Sequence, residues 1–275
     1  MVKPDGTEID LSNYYTKSQA DTLIKQLQQK QSTTIDLSSA DDINNRYHDT
    51  VLDTIRASNV ESWFAKYIYS DSDRFDINIS CGTKFTIQDG VYNAQWVVVG
   101  ADTELNKGDI KLTKPHLSLI PTTDLDNSTM NDDEVRTSYV GTKMHKETIP
   151  ALVEALQKVL GDHLLARRVK LTNHVYDGRP SASAYYTVYA NLMCERQVFG
   201  TSKFENDYDI GDDTTALPGF KNYMDKIYGS RTFWLRSVYY GSSFVIAYSD
   251  SDGSVGASYA VADRSSGVRP LITIG

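Results

Sequence analysis

The chain has 275 residues, of which 40% are hydrophobic and 23% are charged, and this composition is typical of a globular protein. It carries 28 basic and 36 acidic side chains, for a net charge of −8. Phosphate contacts need clustered Lys and Arg, so the acidic balance argues against nucleic-acid binding. No apolar run approaches the roughly 18 residues of a membrane span, and we predict no membrane insertion.

Residues 1–38 are predicted to form an attachment segment that consists of one helix and a linker. Thr16 and Gln19 have the spacing of a capping box. The residues that follow form one apolar stripe at helical spacing: Ala20, Leu23, Ile24 and Leu27. A helix of about 15 residues is marginal alone in water, so this stripe needs a partner. The partner is either the chain's own domain or, in the interpretation that we favour, copies of the same helix in a homotrimer.

Residues 39–74 are predicted to be a helical connector, and residues 75–275 a domain of short strands and long loops. Strand-sized apolar runs lie at residues 85–87, 95–99, 117–120, 188–193, 232–236, 244–248 and 268–274. One amphipathic helix begins at Pro150, and Arg167 and Arg168 suit its C-terminal end. Strands, one clear helix and further strands predict an α+β fold.

Side chains suited to catalysis or metal binding are sparse. The five histidines form no metal-binding motif, and the sequence contains no P-loop, GxGxxG or GxSxG motif. Acidic clusters occur at residues 207–213 and 249–253, and the second resembles the start of a calcium loop but lacks the glutamate at its twelfth position. We interpret both clusters as solvated turns. We therefore predict no cofactor, no metal site and no enzymatic activity.

Tyrosine is unusually abundant, with 18 tyrosines against 8 phenylalanines. In residues 175–189 and 238–259 it is interspersed with Ser, Gly, Ala and Asp, as in antibody loops, where Tyr supplies contact area at low entropic cost. The alternative is that these tyrosines face the core of a sheet. Adjacent residues of an extended chain point to opposite faces, so we expect one of each adjacent Tyr pair to be exposed. The predicted ligand-binding residues are Tyr185, Tyr186, Tyr239, Tyr240, Ser242, Ser243, Tyr248 and Tyr259.

Two parts of the chain resemble known families. Residues 11–24, which include the sequence YYTKSQAD, resemble segments of phage tail fibres and baseplate proteins that open a short trimeric helix. Residues 75–275 resemble the C-type-lectin-like domains of the formylglycine-generating-enzyme subtype, which include the variable proteins of diversity-generating retroelements. The motifs that carry this second resemblance are WVVVG at residues 96–100, FWLRS at 233–237 and GVRPLITI at 267–274.

The second resemblance implies that the FWLRS strand and the final strand form the core sheet, and that the long insertions between them form the binding face. Catalytic members of that family carry a reactive cysteine pair in the C-terminal half, where this chain has only Cys194. The resemblance therefore does not extend to their activity. The other cysteine, Cys81, is distant in sequence, and we expect two free thiols, with one long-range disulfide as the alternative.

These patterns predict a phage virion adhesin of the tail-fibre or receptor-binding type. A lectin-like head would bind a glycan or protein on the host cell surface, and the N-terminal segment would trimerise and attach to other virion proteins. The N-terminus lacks the features of a secretory signal, as expected for a protein that is assembled into virions in the host cytoplasm. The alternative is a structural decoration, such as a head fibre or baseplate component, without a specific ligand.

Overall fold

A computed structural model gives the structure of the protein. It describes residues 34–36, 84–87, 89–114, 116–134, 136–220, 232–240, 243–249 and 255–275. The predicted N-terminal helix and its trimer contacts, the 39–74 connector, Cys81, Ser242 and residues 250–253 lie outside this description.

The first sheet has six strands in the order β1-β2-β3-β4-β13-β8. Its strands are β1 (Thr34–Asp36), β2 (Lys84–Ile87), β3 (Ala94–Ala101), β4 (Leu117–Pro121), β8 (Ala190–Leu192) and β13 (Pro270–Ile274). Neighbouring strands are antiparallel except for β1 and β2, which are parallel. The strands predicted around residues 85–87, 95–99, 117–120 and 268–274 are therefore confirmed, while β1 occupies three residues for which the sequence predicts linker.

The second sheet has five strands in the order β11-β10-β9-β12-β5. They are β5 (Asn127–Thr129), β9 (Phe233–Val238), β10 (Ser243–Ser249), β11 (Val255–Val261) and β12 (Ser265–Gly267). The strands predicted at residues 232–236 and 244–248 are confirmed as β9 and β10. β11 forms one edge of this sheet, with β10 as its neighbour.

The FWLRS strand, β9, and the final strand, β13, lie in different sheets. The expectation that they share one core sheet is therefore wrong. Gly267 pairs with Phe233 of β9, whereas Pro270 pairs with Leu192 of β8. The chain passes from one sheet to the other between these residues, where the Arg269 Nε donates to Asp124 at 2.6 Å. This contact holds the crossing segment to the loop that precedes β5.

The helix α1 (Ile149–Leu160) begins at the predicted place, directly after one π-helical turn at Met144–Thr148. Leu152, Leu156 and Leu160 are buried on its inner face. The helix ends before Gly161, which opens a short 3₁₀ turn, so Arg167 and Arg168 do not lie at its C-terminal end. Both arginines belong to strand β6, and that prediction is wrong.

A separate two-stranded hairpin is formed by β6 (Arg167–Tyr176) and β7 (Arg179–Val188). Its turn consists of Asp177 and Gly178, both at positive φ, which is the conformation that an Asp-Gly pair favours in two-residue hairpin turns. Most of the 175–189 tract, which we compared with binding loops, is therefore regular strand. Two shorter helices, α2 (Glu195–Phe199) and α3 (Asp207–Ile210), follow β8.

Two hydrophobic clusters fill the domain because alternate side chains of the central strands point to opposite faces. In β3, Trp96 and Val98 face the larger cluster, which also contains α1. Val97 and Val99 face the smaller cluster together with Phe233. Trp96 and Trp234 are fully buried, as the sequence predicted. Helices and sheets of this kind establish an α+β architecture.

Candidate functional site

Three aromatic side chains from distant parts of the sequence meet beside the second sheet. Tyr239 follows β9, Tyr259 lies in β11, and Phe204 lies in the loop between α2 and α3. The ring centroids of Tyr239 and Tyr259 are 4.4 Å apart at an interplanar angle of 30°. Phe204 meets both rings edge-on, at 5.2 Å from Tyr239 and 5.6 Å from Tyr259. These stacked and edge-to-face geometries are the favoured ones for aromatic pairs. We call the three residues the ring cluster.

The ring cluster stands on the smaller hydrophobic cluster. Tyr259 pairs with Val245 of β10 across the hairpin, and paired residues share a face of the sheet. Val245 is fully buried, and Tyr239 and Phe204 pack against the same hydrophobic cluster. Tyr259 is nevertheless 49% exposed. The ring cluster therefore presents aromatic surface to solvent from a packed base.

A buried carboxylate fixes the loop that carries Phe204. Glu195, the first residue of α2, is 1% exposed. Its two carboxylate oxygens accept hydrogen bonds from the backbone N–H groups of Lys203, Phe204 and Glu205, at 2.8, 2.9 and 2.8 Å. Charge-assisted bonds of this kind are stronger than neutral ones and compensate the cost of burying the charge.

Strand β9 completes this anchor through Ser237. Its hydroxyl group accepts from the backbone N–H of Glu195 and donates to the Glu205 carboxylate, at 3.0 and 2.8 Å. The other Glu205 oxygen accepts from the backbone N–H of Arg196. The carboxylates of Glu195 and Glu205 are thus both engaged in holding the loop to α2 and β9.

Two cations lie beside aromatic rings in this region, one beside the half-buried Phe204 and one beside the exposed Tyr240. The Lys203 Nζ is 4.9 Å from the Phe204 ring centroid, and the Arg179 guanidinium carbon is 5.8 Å from that of Tyr240. These are distances at which a cation is attracted to an aromatic face. Tyr240 directly follows Tyr239 and is 46% exposed. The turn between β9 and β10 therefore joins the ring cluster to the pair formed by Tyr240 and Arg179.

Neither of these cations pairs with a carboxylate among the described residues. Other surface cations do: Lys143 reaches Asp132 at 2.6 Å, Lys158 reaches Glu154 at 3.1 Å, and Arg168 reaches Asp109 at 2.7 Å. The charged groups of Lys203 and Arg179 thus retain N–H donors at the edge of an aromatic surface.

The structure separates the hairpin tyrosines Tyr185 and Tyr186 from this site. The Tyr186 ring packs against the larger hydrophobic cluster, with its centroid 6.1 Å from that of His145. The Tyr185 hydroxyl group donates to Asp212 at 3.4 Å, and burial together with this carboxylate raises the pKa of Tyr185. Along β7, both tyrosines stand about 20 Å from Arg179, at roughly 3.3 Å per residue.

Tyr248 also lies apart from the ring cluster. It has the strand parity of Phe244, which faces the larger hydrophobic cluster, whereas Tyr259 lies opposite Val245 on the other face. The Tyr248 ring covers Gly256 of β11 so closely that a Cβ atom there would come within 2.9 Å of the hydroxyl oxygen. Of the predicted binding residues, the structure brings together Tyr239, Tyr240, Ser243 and Tyr259.

The interior contains charged side chains, among them two carboxylates of the 207–213 cluster that we interpreted as a solvated turn. Arg236 of the FWLRS motif is buried, and its guanidinium group donates to Asp213 and to Gln197 at 2.9 Å each. Asp213 also accepts from Lys107 at 2.8 Å. Burial alone would raise the pKa of Asp213, but Lys107 and Arg236 outweigh that effect and lower it. These contacts tie β9 to the segment after α3.

Asp209 is the second buried carboxylate of the 207–213 cluster. It accepts hydrogen bonds from the Thr172 hydroxyl group, from the Asn206 side chain at 2.9 Å and from the backbone N–H of Val238 at 3.1 Å. Burial raises its pKa to about 7. The interpretation of residues 207–213 as a solvated turn is therefore wrong at Asp209 and Asp213. Within the described part of the chain, no group of three or more His, Cys, Asp or Glu side chains is placed to share a metal ion.

Comparisons with known proteins supply no relative: no protein-family model, curated protein or solved structure matches this chain. Among the described residues, no helix has the length and apolar character needed to cross a membrane. The ring cluster and its surroundings are therefore the features of this chain that bear on its function.

Proposed function

We propose that the protein is a phage virion adhesin whose lectin-like head binds a ligand on the host cell surface. The observation that supports this most directly is the exposed aromatic surface of Tyr259 and Tyr240 on a packed and hydrogen-bonded base. Exposed Tyr side chains are enriched among residues that dominate binding energy. Their fixed placement reduces the conformational entropy that binding would otherwise cost.

The binding face in this proposal consists of the ring cluster together with Tyr240 and Arg179. It draws on the β9–β10 turn, β11, the loop after α2 and the start of β7. Residues 1–38 are assigned to trimerisation and to attachment to other virion proteins. The three heads of one trimer would add avidity, so weak single-site contacts would still hold a cell.

Adsorption of the full chain to bacterial cells tests the proposal. Fluorescently labelled wild-type protein is expected to bind a subset of a strain panel. The double substitution Tyr239→Ser and Tyr240→Ser should abolish this binding without changing the far-UV circular dichroism spectrum. Tyr185→Ser is the matched control because Tyr185 lies outside the proposed face, and it should leave adsorption unchanged.

Two outcomes would contradict the proposal. A folded double variant that adsorbs like the wild type would favour the structural decoration, which needs no specific ligand. Loss of adsorption in Tyr185→Ser alone would move the binding face to the β6–β7 hairpin.

A further inference from the structure

We infer that the ligand of the proposed face is a glycan whose sugar ring carries a carboxylate. The ring would stack on the ring cluster, and the carboxylate would bind Lys203. This inference rests on the proposed function and names its ligand class. It also adds Phe204 and Lys203 as specificity-determining residues and Glu195 as the residue that positions them.

The aromatic part of the face fits a sugar ring. Tyr combines an apolar ring with a hydroxyl group that forms hydrogen bonds, which matches the C–H faces and hydroxyl groups of a pyranose. Tyr239 and Phe204 hold Tyr259 from two directions, yet about half of Tyr259 remains in solvent. A surface built only for aliphatic side chains would not need the polar edge that the tyrosine hydroxyl groups provide.

The charge of the face favours an anionic ligand. The chain has a net charge of −8, yet Lys203 and Arg179 place two cations against the rings of Phe204 and Tyr240. The carboxylates that hold the Lys203 loop, Glu195 and Glu205, point their oxygens at backbone N–H groups and at Ser237. They therefore leave the Lys203 ammonium group free to bind a ligand carboxylate by a charge-assisted hydrogen bond.

Glu195 positions the cation and the ring together. Its carboxylate accepts from the N–H groups of Lys203 and Phe204 at once, so one buried group sets the place of both. The amide of a Gln side chain offers one acceptor oxygen and one NH₂ donor in place of two acceptor oxygens. Glu195→Gln should therefore release the loop and move the Phe204 ring away from Tyr239 and Tyr259.

Binding of the full chain to printed oligosaccharides tests the ligand class. The probes are glycans that contain glucuronate, galacturonate or sialate, the same glycans after reduction of the carboxyl group, and phosphorylated and neutral sugars. We expect binding to at least one carboxylate-bearing glycan and at least tenfold weaker binding after carboxyl reduction. Lys203→Gln should weaken binding at least tenfold, and Phe204→Ala should remove it. Lys111→Gln makes the same charge change on an exposed loop and should have no effect.

The positioning role of Glu195 has its own readout. Glu195→Gln should reduce both glycan binding and the near-UV circular dichroism of the tyrosines, while the far-UV spectrum is retained. A purely structural role would lower the unfolding temperature without changing the near-UV signal of the folded protein. Should Glu195→Gln not fold, the Lys203→Gln and Phe204→Ala variants still decide the ligand class.

Several results would overturn the inference. If carboxyl-reduced glycans bind as tightly as the originals, the contact between Lys203 and a carboxylate is excluded. Tighter binding of phosphorylated sugars would make the ligand a phosphoglycan. Binding to no carboxylate-bearing glycan would exclude carboxylate-bearing glycans as the ligand class. A lower mass of Phe204→Ala in light scattering would make the ring cluster a contact between copies of the chain. Cell adsorption distinguishes a wrong ligand class from a wrong adhesin function. If adsorption requires Tyr239 and Tyr240 but no carboxylate on the ligand, the adhesin function stands and the ligand class is wrong. If the protein does not adsorb to cells at all, both proposals are wrong.

Discussion

The two tyrosine-bearing hairpins of this protein have similar composition and different surroundings. In the β6–β7 hairpin, Tyr186 packs against the larger hydrophobic cluster and Tyr185 donates to Asp212. In the β10–β11 hairpin, Tyr259 stacks on Tyr239 and keeps half of its surface in solvent. The tyrosines of the first hairpin thus make contacts within the domain, whereas Tyr259 of the second leaves half of its surface available to a ligand.

The position of each hairpin explains this difference. β11 is an edge strand of the five-stranded sheet, and among the described residues β10 is the one strand that pairs with it. The β6–β7 hairpin lies against α3, where the Thr172 hydroxyl group donates to Asp209. A residue type that suits both core and interface takes its role from the neighbours that the fold provides. Four predictions test this comparison, in order of decreasing effect on the free energy of unfolding.

The largest effect is expected from Trp234→Ala, which removes the base of the β10–β11 hairpin. Trp234 is fully buried, pairs with Ile246 of β10, and donates from Nε1 to the Ser128 carbonyl oxygen at 2.8 Å. The truncation should lower the free energy of unfolding by about 3–5 kcal/mol. Urea unfolding measures it, and Trp234→Phe, which retains an aromatic ring, should lose less. An unchanged melting temperature would show that β9 is not a core strand.

The second prediction concerns Asp209, which joins the β6–β7 hairpin to β9, the strand beside the β10–β11 hairpin, through Thr172 and Val238. Its folded-state pKa of about 7 lies above the unfolded value of about 3.9. Between these values the folded state binds more protons, so the contribution of Asp209 to stability is present at low pH and is lost as pH rises to about 7. Asp209→Asn should remove this loss. The variant should therefore gain stability relative to the wild type as pH rises from 5 to 7.5.

Two other groups whose pKa values are shifted make the comparison with the variant necessary. Burial raises the pKa of Asp102 to about 6, so its contribution to stability falls as pH rises, like that of Asp209. Burial lowers the pKa of His116 to about 4, so its contribution to stability increases as pH rises. The difference between the urea midpoints of wild type and variant cancels both contributions. A difference that does not change with pH would mean that Asp209 does not titrate in this range.

The third prediction separates the two adjacent tyrosines of β7. Tyr186→Ala should cost about 1–2 kcal/mol because the ring is partly buried against the larger hydrophobic cluster. Tyr185→Ala should cost less, since it removes mainly a long hydrogen bond to an exposed carboxylate. Thermal unfolding of both variants measures the difference. Equal costs would mean that the two faces of the hairpin are buried alike.

The sequence predicts the strands, the main helix and the buried tryptophans because these depend on local apolar patterns. It contains a further local signal, Asp177-Gly178, a dipeptide typical of two-residue hairpin turns. That signal identifies residues 175–189 as a hairpin and not as loops. The apolar pattern continues to Leu164 and so predicts Arg167 at the helix end, whereas Gly161 is the local signal at which the helix stops.

The candidate site is harder to predict because its contacts are long-range. Phe204 meets Tyr239 and Tyr259 only after two sheets have formed, and it has no periodic neighbours in sequence. Glu195 resembles any surface glutamate until its oxygens are seen to accept from the loop after α2. The alternation of faces was sufficient to expect one exposed member of the Tyr239–Tyr240 pair, and Tyr240 is exposed. The same expectation is wrong for the Tyr185–Tyr186 pair, in which both side chains are half-buried. The alternation could not tell that Tyr248 and Tyr259 face opposite sides.

The smallest effect on stability and the sharpest test of the comparison come from Tyr259→Ala. The side chain is half in solvent on an edge strand but also stacks on Tyr239, so the free energy of unfolding should fall by about 0.5–1 kcal/mol. A hot-spot tyrosine costs about 2 kcal/mol of binding when truncated, which is about 30-fold in Kd. Tyr259→Ala should therefore weaken adsorption strongly in a protein of nearly wild-type stability, whereas Tyr186→Ala should do the reverse. Tyr259→Phe keeps the stacked ring and should retain most of the binding. A variant of Tyr259 that is destabilised as much as Tyr186→Ala would place both hairpins in the same structural role and remove the distinction between them.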